Sequence, residues 1–337
     1  MVREFSAGFD VQTRQIQPIQ VRKHDRIMGK LLNYTTGIKN GNYFSPSALN
    51  SLIDCSLQFY FRYIAGLQEP VELQEEVDPA LFGTLLHESI SKIYATLDNP
   101  VERADLEVIT GDHELIRKAI DESFRKLIYK ESGSGTKPEG RNLVIREIIF
   151  TYLEKILERD KEYCPINIFS LELPYYASLD FKSGGQDYTV NIGGKIDRID
   201  ETGGYYRVID YKTGKGDMNF ESIESLFEGE QKNRNRAAFQ TFLYAKVFKA
   251  IDGMEEAKVM PGVYLIRDIY NRDFSYRFGM GLPRKHSPIT DYSALDELFT
   301  SHLQGLFSGL YDPEVPFQQT AQYDTCKYCP YSGICHR

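Results

Sequence analysis

The sequence predicts an α/β protein: a mixed central sheet flanked by helices, with a helical N-terminal part and a cysteine-rich C-terminal tail. Three observations carry this. Residues 45–163 hold four stretches with apolar positions at helical spacing, and 167–213 holds three segments rich in β-branched and aromatic residues, separated by short glycine turns. Residues 235–311 then return to the order helix, strand, helix. There is no internal repeat, and one domain over 44–337 is expected behind an extension over 1–43.

Residues 1–43 are polar and slightly basic, end in GIKNGN, and read as an extension or the remnant of a preceding region. Ser45 is an N-cap candidate with Pro46 at the first helical position. Leu49, Leu52, Ile53, Leu57, Phe61 and Ile64 follow at helical spacing, and Gly66 can stop the helix. A second helix is expected near 80–97, with Leu86, Ile90, Ile93 and Tyr94 on one stripe. Two more, over 113–130 and 142–163, flank the loop ESGSGTKPEG. Strands follow at 167–181, 187–200 and 205–213, joined by SGGQ and ETGG turns as a meander. A helix at 235–251, a strand at 258–266, a weaker strand near 274–278 and a helix at 291–311 complete the domain. The tail, 312–337, has no period and holds three of the five cysteines.

Composition excludes several classes. A charged fraction of 26% with 23 Tyr and 20 Phe is not that of a disordered chain. No apolar run approaches the roughly 20 residues that span a bilayer, and the N-terminus has no secretory apolar core. Neither a membrane nor a secreted protein is expected. Five cysteines are too few for a disulfide scaffold, which points to a reducing cytoplasm and to metal binding where they cluster. The net charge of −8 hides segregation. Residues 66–80 carry five acids and no base, whereas Lys232, Arg234, Arg236, Lys246 and Lys249 lie in a stretch without acids. The basic stretch can hold a polyanion, or simply be a solvated helix face.

The chemistry concentrates in GGKIDRID (193–200) and VIDYKTGKG (208–216). Residues two apart on a strand share a face, so Asp210 and Lys212 project together, as do Lys195 and Asp197, while Asp200 lies on the other side. Antiparallel pairing through ETGG brings Asp197 beside Asp210. Two such carboxylates repel unless a cation lies between them, and oxygen ligation suits Mg²⁺ or Mn²⁺. The plainer reading is an exposed ion pair, worth about 0–1 kcal/mol. His87, near the start of a helix, is by itself more often a structural histidine than a ligand.

GTLLHE (83–88), GKIDRID (194–200), DYKTG (210–214) and QTFLY (240–244), in that order, resemble the motifs of RecB-like nucleases of the PD-(D/E)XK superfamily. The resemblance covers about 44–337 and implies a restriction-endonuclease-like core. By it, His87, Asp197 and Asp210 are metal ligands with the Tyr211 carbonyl as a further one. Lys212 is the catalytic lysine, and Gln240 and Tyr244 position the nucleic acid or the lysine. Glu172 is a candidate additional acid, in a generic context.

Cys326, Cys329 and Cys335 form C-x₂-C-x₅-C followed by His336, and three thiolates are one short of a four-coordinate soft site. Cys55 is the natural fourth. This arrangement resembles the iron–sulfur staple of the AddB-type branch, which implies a [4Fe–4S] cluster tying the two ends of the domain together. Spacing alone leaves a zinc site open. The sequence therefore leads to a Mg²⁺- or Mn²⁺-dependent deoxyribonuclease, acting on DNA single strands or duplex ends as an exonuclease. By resemblance it serves double-strand-break repair and recombination, as the nuclease domain of a larger helicase–nuclease with partner subunits. The alternative is a non-catalytic DNA-binding or scaffold module that retains the nuclease fold.

Overall fold

Short-range signals set each element. The computed structural model describes residues 17–35, 42–68, 77–129, 138–229, 234–282 and 284–337. Most of the acidic run over 66–80, most of the loop over 131–140, and Lys232 lie outside them. The chain enters through β1 (Gln20–Val21) and α1 (Asp25–Leu32). Ser45 caps α2 (Pro46–Asp54), its side chain accepting from the Ala48 N–H. The single helix expected over 45–66 is broken at Cys55, whose extended backbone (φ −162°, ψ 103°) separates α2 from α3 (Ser56–Phe59). A π-helical turn over Tyr60–Ala65 follows and ends at left-handed Gly66.

Four helices come next: α4 (Pro79–Tyr94), α5 (Arg103–Gly111), α6 (His113–Leu127) and α7 (Arg141–Asp160). The meander is β2 (Asn167–Ser183), β3 (Gln186–Thr202) and β4 (Tyr205–Lys212). After β5 (Asn219–Phe220), α8 (Arg236–Lys249) leads to β6 (Val259–Leu265). β7 (Gly279–Met280), β8 (Ser287–Pro288), α9 (Asp296–Tyr311), β9 (Phe317–Gln318) and α10 (Tyr323–Cys326) complete the chain.

The main sheet has the order β2-β3-β4-β6, antiparallel except for the parallel β4–β6 pair, so it is mixed. The crossover between the parallel strands is α8, as short antiparallel turns cannot join parallel neighbours. Two apolar cores lie on the two faces. Ile209 and Tyr211 pack with α4–α7, while Val208 packs with α2, α8 and α9. No strand forms over 274–278: Gly262 makes a lone bridge with Arg277, and pairing resumes only at β7. The described part of the N-terminal extension packs on the domain. β1 pairs with β9, and Ile27 and Leu31 of α1 are buried in the α8-side core.

Candidate active site

Three acids form a row across three strands. Leu171 and Leu173 pair with Arg198 and Ile196, which sets Glu172 opposite Asp197. Arg198 pairs with Ile209, which makes Asp210 the next cross-strand neighbour of Asp197 on the other side. Successive strands lie about 4.8 Å apart, so charge accumulates in this row. Glu172 holds a left-handed φ of 53°, unusual for a residue with a Cβ, at the point where its side chain turns into the row. Two glycines let β3 pass beneath. Gly193 has φ 146°, and a Cβ there would lie 2.1 Å from the Tyr175 carbonyl oxygen.

His87 reaches the row from α4, a helix started by Pro79 and capped by Asp78, which accepts from the Leu81 N–H at 2.6 Å. Its Nε2 lies 2.8 Å from the Tyr211 carbonyl oxygen, and its Nδ1 lies 3.3 Å from Asp197 and 3.6 Å from Glu172. Asp197 also accepts from the Tyr211 N–H at 3.0 Å. Among the described residues, His87, Glu172 and Asp197 are the trio of potential ligands whose donor atoms all lie within 4.8 Å of one another. Asp210 stands just outside that trio, in the hands of α8. Gln240 donates to its Oδ1 at 2.7 Å, and Lys212 donates to the same oxygen at 3.1 Å and to Gln240 at 3.0 Å. Tyr244, one turn beyond Gln240, is buried with its hydroxyl beside the Gly194 backbone.

Burial and charge set the protonation states. Burial pulls the His87 pKa down, but the Asp197 carboxylate dominates and raises it to about 11. Asp197 is pushed up by burial and held below the usual range chiefly by His87. Asp210 goes the other way. Burial, the Asp197 charge and incomplete compensation by Lys212 push it up to about 6. Lys212 is lowered by burial yet raised overall by Asp210, so it is an ammonium at neutral pH. Two carboxylate oxygens of this row, Glu172 Oε1 and Asp210 Oδ2, are buried without a hydrogen bond, although the Lys212 ammonium lies 3.0 Å from the latter. Orphaned anionic oxygens beside an imidazole fit a divalent cation of the Mg²⁺ or Mn²⁺ kind.

Lys212 stands between two concavities. One, of about 360 Å³, is lined by His87, Glu172, Lys195, Asp197, Tyr211 and Thr213. The other, of about 340 Å³, is lined by Lys212, Lys215, Arg234, Asn235, Arg236 and Asp54. Lys195 pairs with Glu172 at the rim of the first. Glu88, adjacent to His87, instead pairs with Lys126 at 2.8 Å and Lys92 at 3.6 Å, away from the row. The sequence singles out Lys195 only as a face-mate of Asp197. It gives no sign of Asp54, which binds Arg234 at 2.9 Å and Arg236 at 2.7 Å from a distance in sequence that no motif spans.

The four expected cysteines converge in a separate concavity that shares Thr325 with that second cavity. Cys55, Cys326, Cys329 and Cys335 line one small pocket with Phe61 and Tyr331. Burial raises the Cys326 and Cys335 thiols above their usual value, and the neighbouring cysteines raise them further, Cys55 acting on Cys326 and all three others on Cys335. No three of these sulfurs fall within the 4.8 Å spacing met by the His87 trio. Cys164 lies apart, half-buried, its Sγ 3.6 Å from the Asp160 carbonyl oxygen.

A mixed sheet carrying an acid row, a histidine and an adjacent lysine suits metal-assisted cleavage of a phosphodiester. The chain belongs to the PD-(D/E)XK nuclease superfamily, whose profile matches residues 43–336. It is similar to a subunit of the ATP-dependent helicase/deoxyribonuclease of Clostridium tetani (strain Massachusetts / E88), at 25% identity over 233 residues. That match covers 65% of this chain and 18% of the relative, so the chain spans under a fifth of that protein. A distant likeness to the crystal structure of SSO0001 has 15% identity and a TM-score of 0.26, over 74% of this chain and 93% of the other. Among the described residues, no helix is long and apolar enough to cross a membrane.

Proposed function

We propose that this chain is a Mg²⁺- or Mn²⁺-dependent deoxyribonuclease. The observation that carries the reading is the row Glu172–Asp197–Asp210 with His87 over one end and Lys212 beside the other. His87, Asp197, Asp210, the Tyr211 carbonyl and Glu172 would hold the ion. When bound, a divalent cation supplies Lewis-acid stabilisation of the phosphate and makes a nearby water more acidic. Lys212 acts as a fixed positive charge and not as a base, because Asp210 keeps it protonated. Its Nζ, held by Gln240 and Asp210, would stabilise the negative charge that develops on an attacked phosphate. Gln240 orients both partners of that pair, and Tyr244 closes the space behind it.

The basic cavity next to Lys212 suits the adjoining DNA backbone, with Lys215 and Arg236 exposed on its walls. Contacts of this kind are sequence-tolerant and weaken with salt, which favours an exonuclease acting on single strands or duplex ends. The likeness to part of a helicase/deoxyribonuclease supports a place in DNA repair and recombination, beside a helicase partner. For the cysteines we favour a [4Fe–4S] cluster over zinc. The support is the resemblance of Cys55 with C-x₂-C-x₅-C to the iron–sulfur staple of the AddB-type branch, and the meeting of the four thiols in one small pocket.

A Mn²⁺-dependent DNA degradation assay tests the activity. Lys212→Ala and Asp197→Ala are each expected to lose at least about 100-fold in rate. Equal degradation by all three proteins, or none by the wild type with helicase partner and ATP supplied, overturns the reading.

A further inference from the structure

Behind the acid row, on the opposite face of the sheet, lies a set of buried charges that the chemistry does not touch. Arg198 and Arg207 and Asp160 and Asp200 are all 0–1% exposed. They balance as two cations and two anions, an arrangement costly to desolvate unless its geometry is tight. It is tight. Arg198 donates to both oxygens of Asp160, at 2.8 and 3.0 Å, and its Nε lies 2.6 Å from Asp200. Arg207 grips Asp200 at 2.6 and 2.9 Å. The hydroxyls of Tyr94 and Tyr264 donate to Asp160, the second at 2.6 Å. Arg198 makes one further bond, donating from Nη1 to the Tyr211 hydroxyl oxygen at 2.9 Å.

The arms of this lattice leave from every helix or strand that carries His87, Asp197 or Asp210. Arg198 follows Asp197 on β3, Tyr211 follows Asp210 on β4, and Tyr94 lies two turns beyond His87 on α4. The β3–β4 ladder pairs its last residues at Arg198 and Ile209, one position short of Asp197 and Asp210. Past that point side chains hold the two strands together. On the cleft face Asp197 accepts from the Tyr211 N–H, and on the far face Arg198 donates to the Tyr211 hydroxyl oxygen.

We infer that Arg198 and Tyr211 are positioning residues, whose buried hydrogen bond, anchored on Asp160, sets the spacing of Asp197, Asp210 and the Tyr211 carbonyl around a divalent cation. The inference rests on the nuclease reading. Its test is the affinity for Mn²⁺ alone, measured calorimetrically without DNA on the full chain. Tyr211→Phe removes the acceptor and keeps the ring. It is expected to weaken Mn²⁺ binding about tenfold, the lower range for partners that orient metal ligands. The Mn²⁺ concentration for half-maximal activity should rise by the same factor. Tyr264→Phe is the control, since it removes a buried phenol of the same lattice, the one that donates to Asp160 from β6, but no arm to a ligand strand. It should lower the melting temperature without moving Mn²⁺ affinity. Tyr94→Phe, which cuts the α4 arm, provides a second variant expected to weaken Mn²⁺ in the same direction. If Tyr211→Phe and Tyr94→Phe bind Mn²⁺ like the wild type, the lattice only stabilises the fold and the inference falls, while the metal site stands. If the wild type binds no Mn²⁺, both the site and the inference fall.

Discussion

His87 occupies, in chemical terms, the place of a cation. With its pKa raised to about 11 it is an imidazolium, donating from Nε2 to the Tyr211 carbonyl and from Nδ1 towards Asp197. Those two acceptors are themselves proposed metal ligands, so binding an ion through His87 expels a proton. Asp210, raised to about 6, holds a second proton in acid. Proton release on binding makes affinity rise with pH. If both residues ligate, log affinity for Mn²⁺ should climb with a slope near two protons below about pH 6 and near one above it. Metal-free stability runs the opposite way. The His87 contribution is complete below about pH 6.5, its unfolded value, and fades towards 11, while that of buried Asp210 is complete below about pH 3.8 and lost by about pH 6. The Mn²⁺-induced rise in melting temperature should therefore be larger at pH 7.5 than at 5.5. A pH-independent rise would remove His87 and Asp210 from the ligand set.

At the scale of elements, backbone shape brings these residues together, and glycine is where that shape is most exposed to test. Gly193→Ala forces a Cβ to 2.1 Å from the Tyr175 carbonyl at φ 146°. The strain and the strand shift should cost about 2–4 kcal/mol, read as a lower urea midpoint at constant slope. Gly194→Ala, at φ 151° but with no contact under 3.4 Å, should cost less, about 1–2 kcal/mol. Equal effects at both positions would refute the steric account. The same scale shows what is legible in the sequence. Strand alternation and the ETGG turn are enough to put Asp197 beside Asp210, since period and turn length fix register locally. Helix α5 escapes such reading, because it buries only Leu106 and Ile109 and begins on the capping box of Glu102 and Asp105. The break at Cys55 is hidden by unbroken apolar spacing on either side. Glu172 looks generic because its role depends on one left-handed residue and a pairing partner on the next strand. The Asp160–Arg198 lattice and the Asp54 clamp link residues 38 to 182 positions apart, beyond what spacing can show.

On the scale of the whole molecule, β1 and the C-terminal tail meet beside the cysteines. β1 pairs with β9, and Lys23 donates to the Gly309 and Asp312 carbonyls at 2.8 and 2.9 Å. Ser56, next to Cys55, exchanges hydrogen bonds with Gln318 at 2.9 and 3.2 Å. A cluster linking Cys55 to the tail would thus reinforce a closure that the native state already makes. Loop entropy alone assigns about 5–6 kcal/mol to cross-links this far apart in sequence, and less where the unfolded chain keeps some order. Cys55→Ser should accordingly lower stability by about 2–4 kcal/mol, a fall in melting temperature of roughly 3–6 °C for a chain of this size. It should also abolish a broad absorption near about 400 nm in anaerobically purified protein. Colourless wild type with one equivalent of zinc would replace the cluster by zinc. Metal-free wild type melting with Cys55→Ser would reduce the four thiols to packing. Because Asp54 holds Arg234 and Arg236 one residue before Cys55, loosening this corner should also disturb the basic wall beside Lys212. The same Cys55→Ser protein should then show a raised KM for DNA with a smaller change in kcat, whereas a staple acting on stability alone would leave KM untouched below the melting range.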